Sequence, residues 1–245
     1  MDSKSYTNDI IHVQSFSSFY RKLGLEVVTI TVGSAEAAKK YIVHKNVLCS
    51  KSEFFQKMFS NGFLESTELV AHLPEDHPET FEVFLGWIYR DIIEPSPGKE
   101  TFQYSRLFFF AEKYNMVTLM DLVMDKMLEF HKQSSNILSI SLIDLVYKQT
   151  HQTSKFRLYA ARTLAYKTLN SPQGVADGYS NIKIQEVVSK HSDLLLDILN
   201  LIRGTGGVKL LNPSHAPLCD YHQHGMNENC PYNSISSTER VVAKK

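Results

Sequence analysis

The sequence is poor in several features that mark whole classes of protein. It contains three cysteines in 245 residues, which are too few for the disulfide framework of a small secreted domain. No apolar run has the length that a membrane-spanning helix needs, and the first residues lack the basic and then apolar pattern of a signal peptide. These absences predict a protein of the cytosol, the nucleus or both.

An excess of charge of one sign is also missing. The 26 Lys and Arg residues equal the 26 Asp and Glu residues in number, so the composition gives no reason to expect direct binding to nucleic acid or to an acidic membrane. The sequence has no phosphate-binding loop, no G-x-S-x-G motif and no G-x-G-x-x-G motif. We therefore expect no enzymatic activity and no cofactor, apart from the metal site considered below.

Local patterns near the start of the chain predict a hairpin followed by two short helices. Apolar residues alternate with threonine from Val28 to Val32, which is the pattern of a half-buried strand, and Tyr41–Val43 is a second β-favouring run. Ser52 is a candidate helix cap, and Phe55 and Phe59 share one face of the helix that follows.

Farther along the chain, the patterns become mostly helical. Residues 68–73 predict a third strand, and Pro78 marks a helix start, where its missing N–H costs nothing. Apolar residues then recur at helical spacing in residues 81–88, 104–114, 116–130, 138–146, 156–164 and 187–202. The last stretch predicts one long amphipathic helix that stops before Gly204.

Several of these residues belong to motifs that occur in the order and at the spacing of one known family. The motifs are V-H-K-x-V-L at residues 43–48, S-x-F-F-x-x-M-F at residues 52–59, G-F-x-E-S at residues 62–66, L-P-E-D-x-P-E-x-F at residues 73–81, W-I-Y at residues 87–89 and A-E-K-Y at residues 111–114. The sequence therefore resembles a BTB/POZ domain, most like the fungal members, over residues 24–131. This resemblance implies an α/β (α+β) fold in which helices pack on a small mixed sheet, followed by an all-α extension.

Pattern and resemblance together predict four segments. They are an N-terminal arm at residues 1–24, a BTB/POZ domain at residues 25–131, a helical extension of the 3-box or BACK type at residues 132–203 and a mostly flexible tail at residues 204–245. The arm either packs on its own domain or is exchanged between two subunits, since many family members dimerise through this element.

The resemblance also implies a function, which is that of a protein–protein interaction adaptor. Such an adaptor forms a homodimer through its BTB domain and recruits larger protein partners. In one form it links clients to a cullin-class E3 ubiquitin ligase, and the helical extension helps to hold the cullin. The alternatives are a transcriptional or chromatin co-regulator and an oligomerising scaffold without a ligase role.

Two charged residues resemble the pocket at the dimer interface of BTB domains. Lys45 stands at the basic position, directly after His44, and Glu26 stands near the acidic position before the first strand. The resemblance therefore implies that Glu26 and Lys45 lie at a dimer interface. The alternative is a pair of solvated charges, and such an exposed pair contributes only ~0–1 kcal/mol.

The loop at Phe63, Leu64 and Glu65 resembles the contact of cullin-binding adaptors, in which a hydrophobic residue precedes a glutamate by two positions. Phe63 would fill a pocket on the partner, and the carboxylate of Glu65 would meet a hydrogen-bond donor there. The alternative is that these residues serve the packing of the domain itself.

The tail contains Cys219, His222, His224 and Cys230 within twelve residues. Two thiolates and two imidazoles suffice for a tetrahedral zinc site, and the metal would itself order the segment, since its binding free energy becomes folding free energy. The spacing is not that of a common zinc finger. The alternatives are a flexible tail that merely contains these residues and a Cys219–Cys230 disulfide, which a reducing compartment disfavours.

His44 and Cys49 are close enough in sequence to suggest a general base and a nucleophile. The resemblance instead makes His44 structural, and Cys49 falls in a predicted buried helix, which favours an inert thiol. We therefore expect neither residue to be catalytic.

Overall fold

The computed structural model describes residues 21–170, 178–204, 206, 210–224, 228 and 230–232. Almost all of the predicted N-terminal arm lies outside the described residues. In the described part, the strands are β1 (Val27–Val32), β2 (Lys39–His44) and β3 (Val70–Leu73). The α-helices there are α1 (Lys45–Lys51), α2 (Glu53–Ser60), α3 (Leu64–Glu68), α4 (Pro78–Arg90), α5 (Glu100–Lys113), α6 (Val117–Ser134), α7 (Ile140–Gln149), α8 (Lys155–Asn170), α9 (Asn181–Lys190) and α10 (Ser192–Gly204). None of these helices has the length and apolar character of a membrane span.

The strands form a mixed sheet in the order β2-β1-β3. Ile30 of β1 lies opposite Tyr41 in the antiparallel pair with β2 and opposite Ala71 in the parallel pair with β3. The alternation read from the sequence is confirmed, because Val28, Ile30 and Val32 are buried. The small mixed sheet of the predicted fold class is therefore present.

The third strand is shorter than the sequence predicts. It begins at Val70 and not at Glu68, because residues Leu64–Glu68 form the short helix α3. Leu69 then takes a left-handed conformation with φ of 56°, which breaks the helix before the strand can start. The β-favouring composition of residues 68–73 does not indicate this left-handed turn.

The chain divides into two compact units, and the division interrupts helix α5. The first unit contains the residues up to Ser96 together with Phe110–Met116, and the second contains Pro97–Phe109 and the residues from Val117 onward. All three strands belong to the first unit, and the second is helical apart from its tail. The predicted class, an α/β domain followed by an all-α extension, is confirmed.

Aromatic rings fill the core of the first unit. Ser52 caps α2 by accepting a hydrogen bond from the Phe55 N–H at 3.5 Å, and Pro78 occupies the first turn of α4 as predicted. Phe55 and Phe84 are fully buried, with ring centroids 6.2 Å apart. Phe84 also lies 5.0 Å from Phe110. Edge and tilted ring contacts of this kind stabilise a core beyond the burial of area alone.

The second unit buries both apolar and polar side chains. Phe108 packs on Phe156 with ring centroids 5.0 Å apart. His131 is fully buried, and its Nδ1 and Nε2 atoms lie 2.7 Å from the Tyr159 hydroxyl and 2.9 Å from the Thr101 hydroxyl. Because both ring nitrogens have partners, the imidazole satisfies the hydrogen bonding that its burial requires.

The predicted long helix at residues 187–202 is wrong, since the structure has two helices that are separated at His191. The backbone of His191 leaves the helical region with φ of −128° and ψ of 88°, and its Nε2 atom lies 2.8 Å from the carboxylate of Asp144. The second helix then places Asp193 against the buried guanidinium of Arg157. These contacts with distant residues are not visible in the apolar periodicity.

Short turns also occur in the predicted tail. Residues Pro213–His215 and Leu218–Tyr221 form two 3-10 turns. Tyr221 is fully buried, with its ring 5.2 Å from that of Tyr159, and Asp220 pairs with Arg162 at 2.6 Å. Tyr221 and Asp220 thus pack against α8, while the division of the chain into four segments stays a prediction.

Candidate functional site

The predicted charged pair is formed within one chain. The Lys45 Nζ atom lies 3.0 Å from the Glu26 carboxylate, and the Lys45 N–H donates to the Glu26 carbonyl oxygen at 2.9 Å. The backbone contact brings the end of β2 beside the start of β1, and the ion pair follows from it. The structure thus brings the two residues together, while their role at a dimer interface stays a prediction.

Large apolar side chains are exposed beside this pair. Leu25 is fully exposed, and Val27 and Ile42 are also exposed. Ile42 lies opposite Thr29 in the sheet, so it belongs to the face that does not contain buried Val28 and Val43. An exposed apolar face next to a charged pair is a surface that a second protein chain can cover.

The loop of Phe63, Leu64 and Glu65 is fixed by its backbone. Phe63 precedes the first residue of α3, and its carbonyl oxygen accepts hydrogen bonds from the Ser66 N–H at 3.0 Å and the Ser66 hydroxyl at 2.7 Å. The side chains of Phe63 and Leu64 are nevertheless 56% and 68% exposed. The turn therefore presents two apolar side chains to solvent on a defined backbone, with the half-buried Glu65 beside them.

The contacts of His44 and Cys49 are not those of a general base and an activated nucleophile. The Nδ1 atom of His44 lies 2.9 Å from the Tyr89 hydroxyl, which also accepts the His44 N–H at 2.9 Å. The Cys49 thiol contacts the Phe55 carbonyl oxygen at 3.7 Å, and burial raises its pKa. A nucleophilic cysteine needs the opposite shift in pKa.

The four predicted metal ligands meet in one place. The ligand atoms of Cys219, His222, His224 and Cys230, named here the Cys/His cluster, all lie within 4.8 Å of one another. His222 and Cys230 are buried, and the Cys230 sulfur is 3.5 Å from the His222 Nδ1 atom. The arrangement offers two sulfur and two nitrogen donors to one central ion.

Two carboxylates of helix α6 hold this cluster, and neither was predicted from the sequence. The Nε2 atom of His222 lies 2.8 Å from Asp125. Asp121, which is buried, accepts the Gln223 N–H at 2.8 Å and the Tyr232 hydroxyl at 3.1 Å. The available signal was a pair of aspartates four residues apart within the otherwise apolar run of α6, since that spacing places both on one helix face.

The electrostatics of the cluster shift the pKa values of its members in different directions, and burial together with Cys230 raises the pKa of Cys219. Burial lowers the pKa of His222, but its hydrogen bonds to Asp125 and Cys230 and the charge of Asp125 outweigh this effect and raise it to about 9. Burial would raise the pKa of Cys230, but the Tyr232 N–H and the side chains of His222, Cys219 and His224 bring it down to about 7. A thiol with that pKa is roughly half ionised near pH 7, and the thiolate is the form that binds metal.

The comparisons with known proteins concern the first part of the chain. The family model of the BTB/POZ domain matches residues 22–131. These residues form a BTB/POZ domain. Such domains are typically non-enzymatic modules that bind protein partners and self-associate, which supports a general role of this domain in protein interaction. A search of the curated proteins found no match.

The matched range contains the charged pair and the Phe63–Glu65 loop, and it does not contain the Cys/His cluster. The BTB match therefore bears on the two candidate protein-binding surfaces and not on the candidate metal centre. The matched model represents the domain in general, so the likeness to fungal BTB proteins stays a prediction.

Proposed function

We propose that this BTB protein is a homodimeric adaptor that docks on a cullin-class scaffold and brings client proteins to a ubiquitin ligase. The observation that carries the proposal is the exposure of Phe63 and Leu64 beside Glu65 on a backbone-fixed turn. A turn of this kind loses little conformational entropy when it binds, because its backbone is already ordered.

The transfer free energy of Phe63 and Leu64 agrees with a small contact at the centre of an interface. Transfer of the exposed parts of Phe63 and Leu64 from water into a partner pocket contributes about 2–3 kcal/mol. A few such residues at the centre of an interface carry most of its binding energy. Glu65 adds specificity more than affinity, because it selects a partner that offers a donor in that position.

Self-association is the second part of the proposal. Leu25, Val27 and Ile42 would be covered by the partner subunit, and Glu26 and Lys45 would lie at the edge of the same interface. A stable dimer buries about 1,200 Å² or more in total. We expect the adaptor to work in the cytosol, the nucleus or both, with proteins and not nucleic acid as partners.

The test is capture of a cullin, together with its RING partner, by the tagged full-length chain from its native cells. Phe63→Ala combined with Glu65→Ala should abolish capture and leave the melting temperature unchanged, because both side chains lie outside the core. Ile92→Ala combined with Glu94→Ala is the matched control. It has the same spacing in another loop of the first unit, with Ile92 39% exposed and Glu94 in a surface pair with Arg90.

Capture that survives the Phe63 and Glu65 substitutions would overturn the docking proposal. Equal losses in the control would overturn it too, since they would show a general effect of surface truncation. Recovery of nuclear complexes without a cullin would favour the co-regulator alternative. Recovery of the chain alone would favour the oligomerising scaffold.

A further inference from the structure

We propose that Cys219, His222, His224 and Cys230 bind one Zn²⁺ ion, which fastens the tail of the protein to helix α6. This site lies outside the BTB match and is independent of the adaptor function. It would make residues 219–232 a metal-dependent part of the helical unit.

The distances in the Cys/His cluster suit this ion. Zn–S and Zn–N bonds of about 2.3 and 2.0 Å at tetrahedral angles place a sulfur and a nitrogen ligand about 3.5 Å apart. The Cys230 sulfur and the His222 Nδ1 atom are separated by that distance, 3.5 Å. All four ligand atoms lie within 4.8 Å of one another, so small side-chain movements complete a tetrahedron.

A carboxylate fixes the orientation of one ligand. His222 uses its Nε2 atom to contact Asp125 at 2.8 Å, so Nδ1 is the nitrogen that faces Cys230. Metal-binding histidines almost always donate their second ring N–H to a carboxylate, a carbonyl oxygen or water, which fixes the tautomer and increases the basicity of the ligand. The contact with Asp125 distinguishes His222 from a solvated histidine in a flexible tail.

The backbone next to the cluster is fixed by a second carboxylate on the same helix. Asp121 is buried and accepts hydrogen bonds from the Gln223 N–H and the Tyr232 hydroxyl. Gln223 lies between two ligands, and Tyr232 lies two residues beyond the last one. Helix α6 therefore holds the ligand segment in its middle, at Gln223, and just beyond its last ligand, at Tyr232.

The donor set identifies the metal and its role. Calcium and magnesium prefer oxygen ligands, whereas two thiolates and two imidazoles in a tetrahedron are typical of zinc. Four protein ligands leave no open position for a substrate or an activated water, so the site is structural and not catalytic. Its effect is to keep Tyr221 in the position where it packs on Tyr159.

The first experiment measures the zinc content of the purified full-length chain by mass spectrometry of the metal. We expect one zinc per chain, which Cys219→Ser and Cys230→Ser should each abolish. Cys49→Ser is the matched control, because Cys49 is the remaining cysteine and lies outside the cluster; it should keep its zinc. Cobalt in place of zinc should give the visible absorption bands of a tetrahedral thiolate site.

A zinc content near zero in the wild-type chain would overturn the proposal. So would a Cys219–Cys230 disulfide, which thiol titration would detect as one reactive thiol in place of three under denaturing conditions. Zinc that persists in the chain with both cysteines replaced would overturn the assignment of ligands, even if that variant were poorly folded.

A second experiment addresses the positioning role of Asp125. Asp125→Ala should weaken zinc binding by about 10–100-fold in competition with a chelator, whereas Asp125→Asn retains an acceptor oxygen and should lose less. Glu129→Ala is the control on the same helix, since Glu129 is exposed and pairs with Lys126. Equal zinc affinity of the Ala variant and the wild type would contradict the proposed role.

Discussion

The Phe63–Glu65 loop and the Cys/His cluster differ in the way the protein supports them. In the loop, hydrogen bonds fix the backbone while the apolar side chains are exposed to solvent. In the cluster, the ligand His222 is buried and held by a carboxylate from a distant helix. The first arrangement leaves apolar area that a partner protein can cover. The second brings together four side chains that we propose bind a single ion.

The difference shows which kind of substitution separates function from stability. Truncation of an exposed side chain removes few contacts within the fold, so its effect appears in partner binding. Truncation of a buried side chain removes packing or leaves a polar group without its partner, so its effect appears in the free energy of unfolding. Three measurements make this comparison quantitative.

The largest effect on the free energy of unfolding is expected at Phe59, and Phe63, four residues later in sequence, supplies the comparison. Phe59 is 1% exposed and Phe63 is 56% exposed. Phe59→Ala should lower the free energy of unfolding by about 3–5 kcal/mol through lost packing and a cavity, whereas Phe63→Ala should change it by less than about 0.5 kcal/mol. Unfolding in urea measures both. A large loss in the Phe63 variant would assign that residue to the packing of the domain.

A smaller effect on the free energy of unfolding is expected from the protonation of His131, the buried histidine of the helical unit. Burial lowers the pKa of His131 to about 4, while the unfolded chain has a histidine pKa of about 6.5. Below pH 6.5 the unfolded state binds more protons than the folded state, so stability falls as the pH falls. The free energy of unfolding should decrease by about 2 kcal/mol between pH 7 and pH 5 from this residue alone.

His131→Gln supplies the control for this pH dependence, because glutamine can hydrogen-bond to Thr101 and Tyr159 but does not titrate. The variant and the wild type are compared by urea unfolding at both pH values, so that contributions from other groups cancel. If the two proteins lost the same free energy between pH 7 and pH 5, His131 would not be the group responsible.

The smallest effect on stability is expected at the charged pair. The side chain of Glu26 is half exposed, so Glu26→Lys should lower the free energy of unfolding by no more than ~1 kcal/mol. If the pair lies at the dimer interface, the same change should raise the dissociation constant of the dimer by about tenfold, since it places like charges together. Sedimentation equilibrium measures the constant, and Glu26→Lys combined with Lys45→Glu should restore it. Unchanged dimerisation would favour the solvated-pair alternative.

The sequence predicted the local elements well where periodicity and caps decide them. The alternation of Val28, Ile30 and Val32, the Ser52 cap and the Pro78 helix start all have their predicted places. It failed at Leu69, where a left-handed residue shortens a strand, and at His191, where a contact with Asp144 divides a helix. In both places, the conformation depends on a backbone or side-chain contact that hydrophobic spacing does not encode.

The residues of the candidate sites also differ in whether the sequence alone indicates them. Every residue of the charged pair, the loop and the Cys/His cluster was predicted, because each set is defined by residue types at short spacing. Asp125 was not predicted, because it is 97 residues from His222 in sequence. The packing of Tyr221 on Tyr159 was missed for the same reason.

The sequence by itself therefore determined the BTB domain, the helical character of the extension and the chemical types of the candidate ligands. These properties follow from local preferences, from motifs and from the composition of short segments. Only the tertiary structure decided that the loop side chains are exposed, that four ligands converge and that helix α6 holds the tail. Exposure and convergence depend on contacts between residues far apart in sequence, and those contacts exist only after the chain has folded.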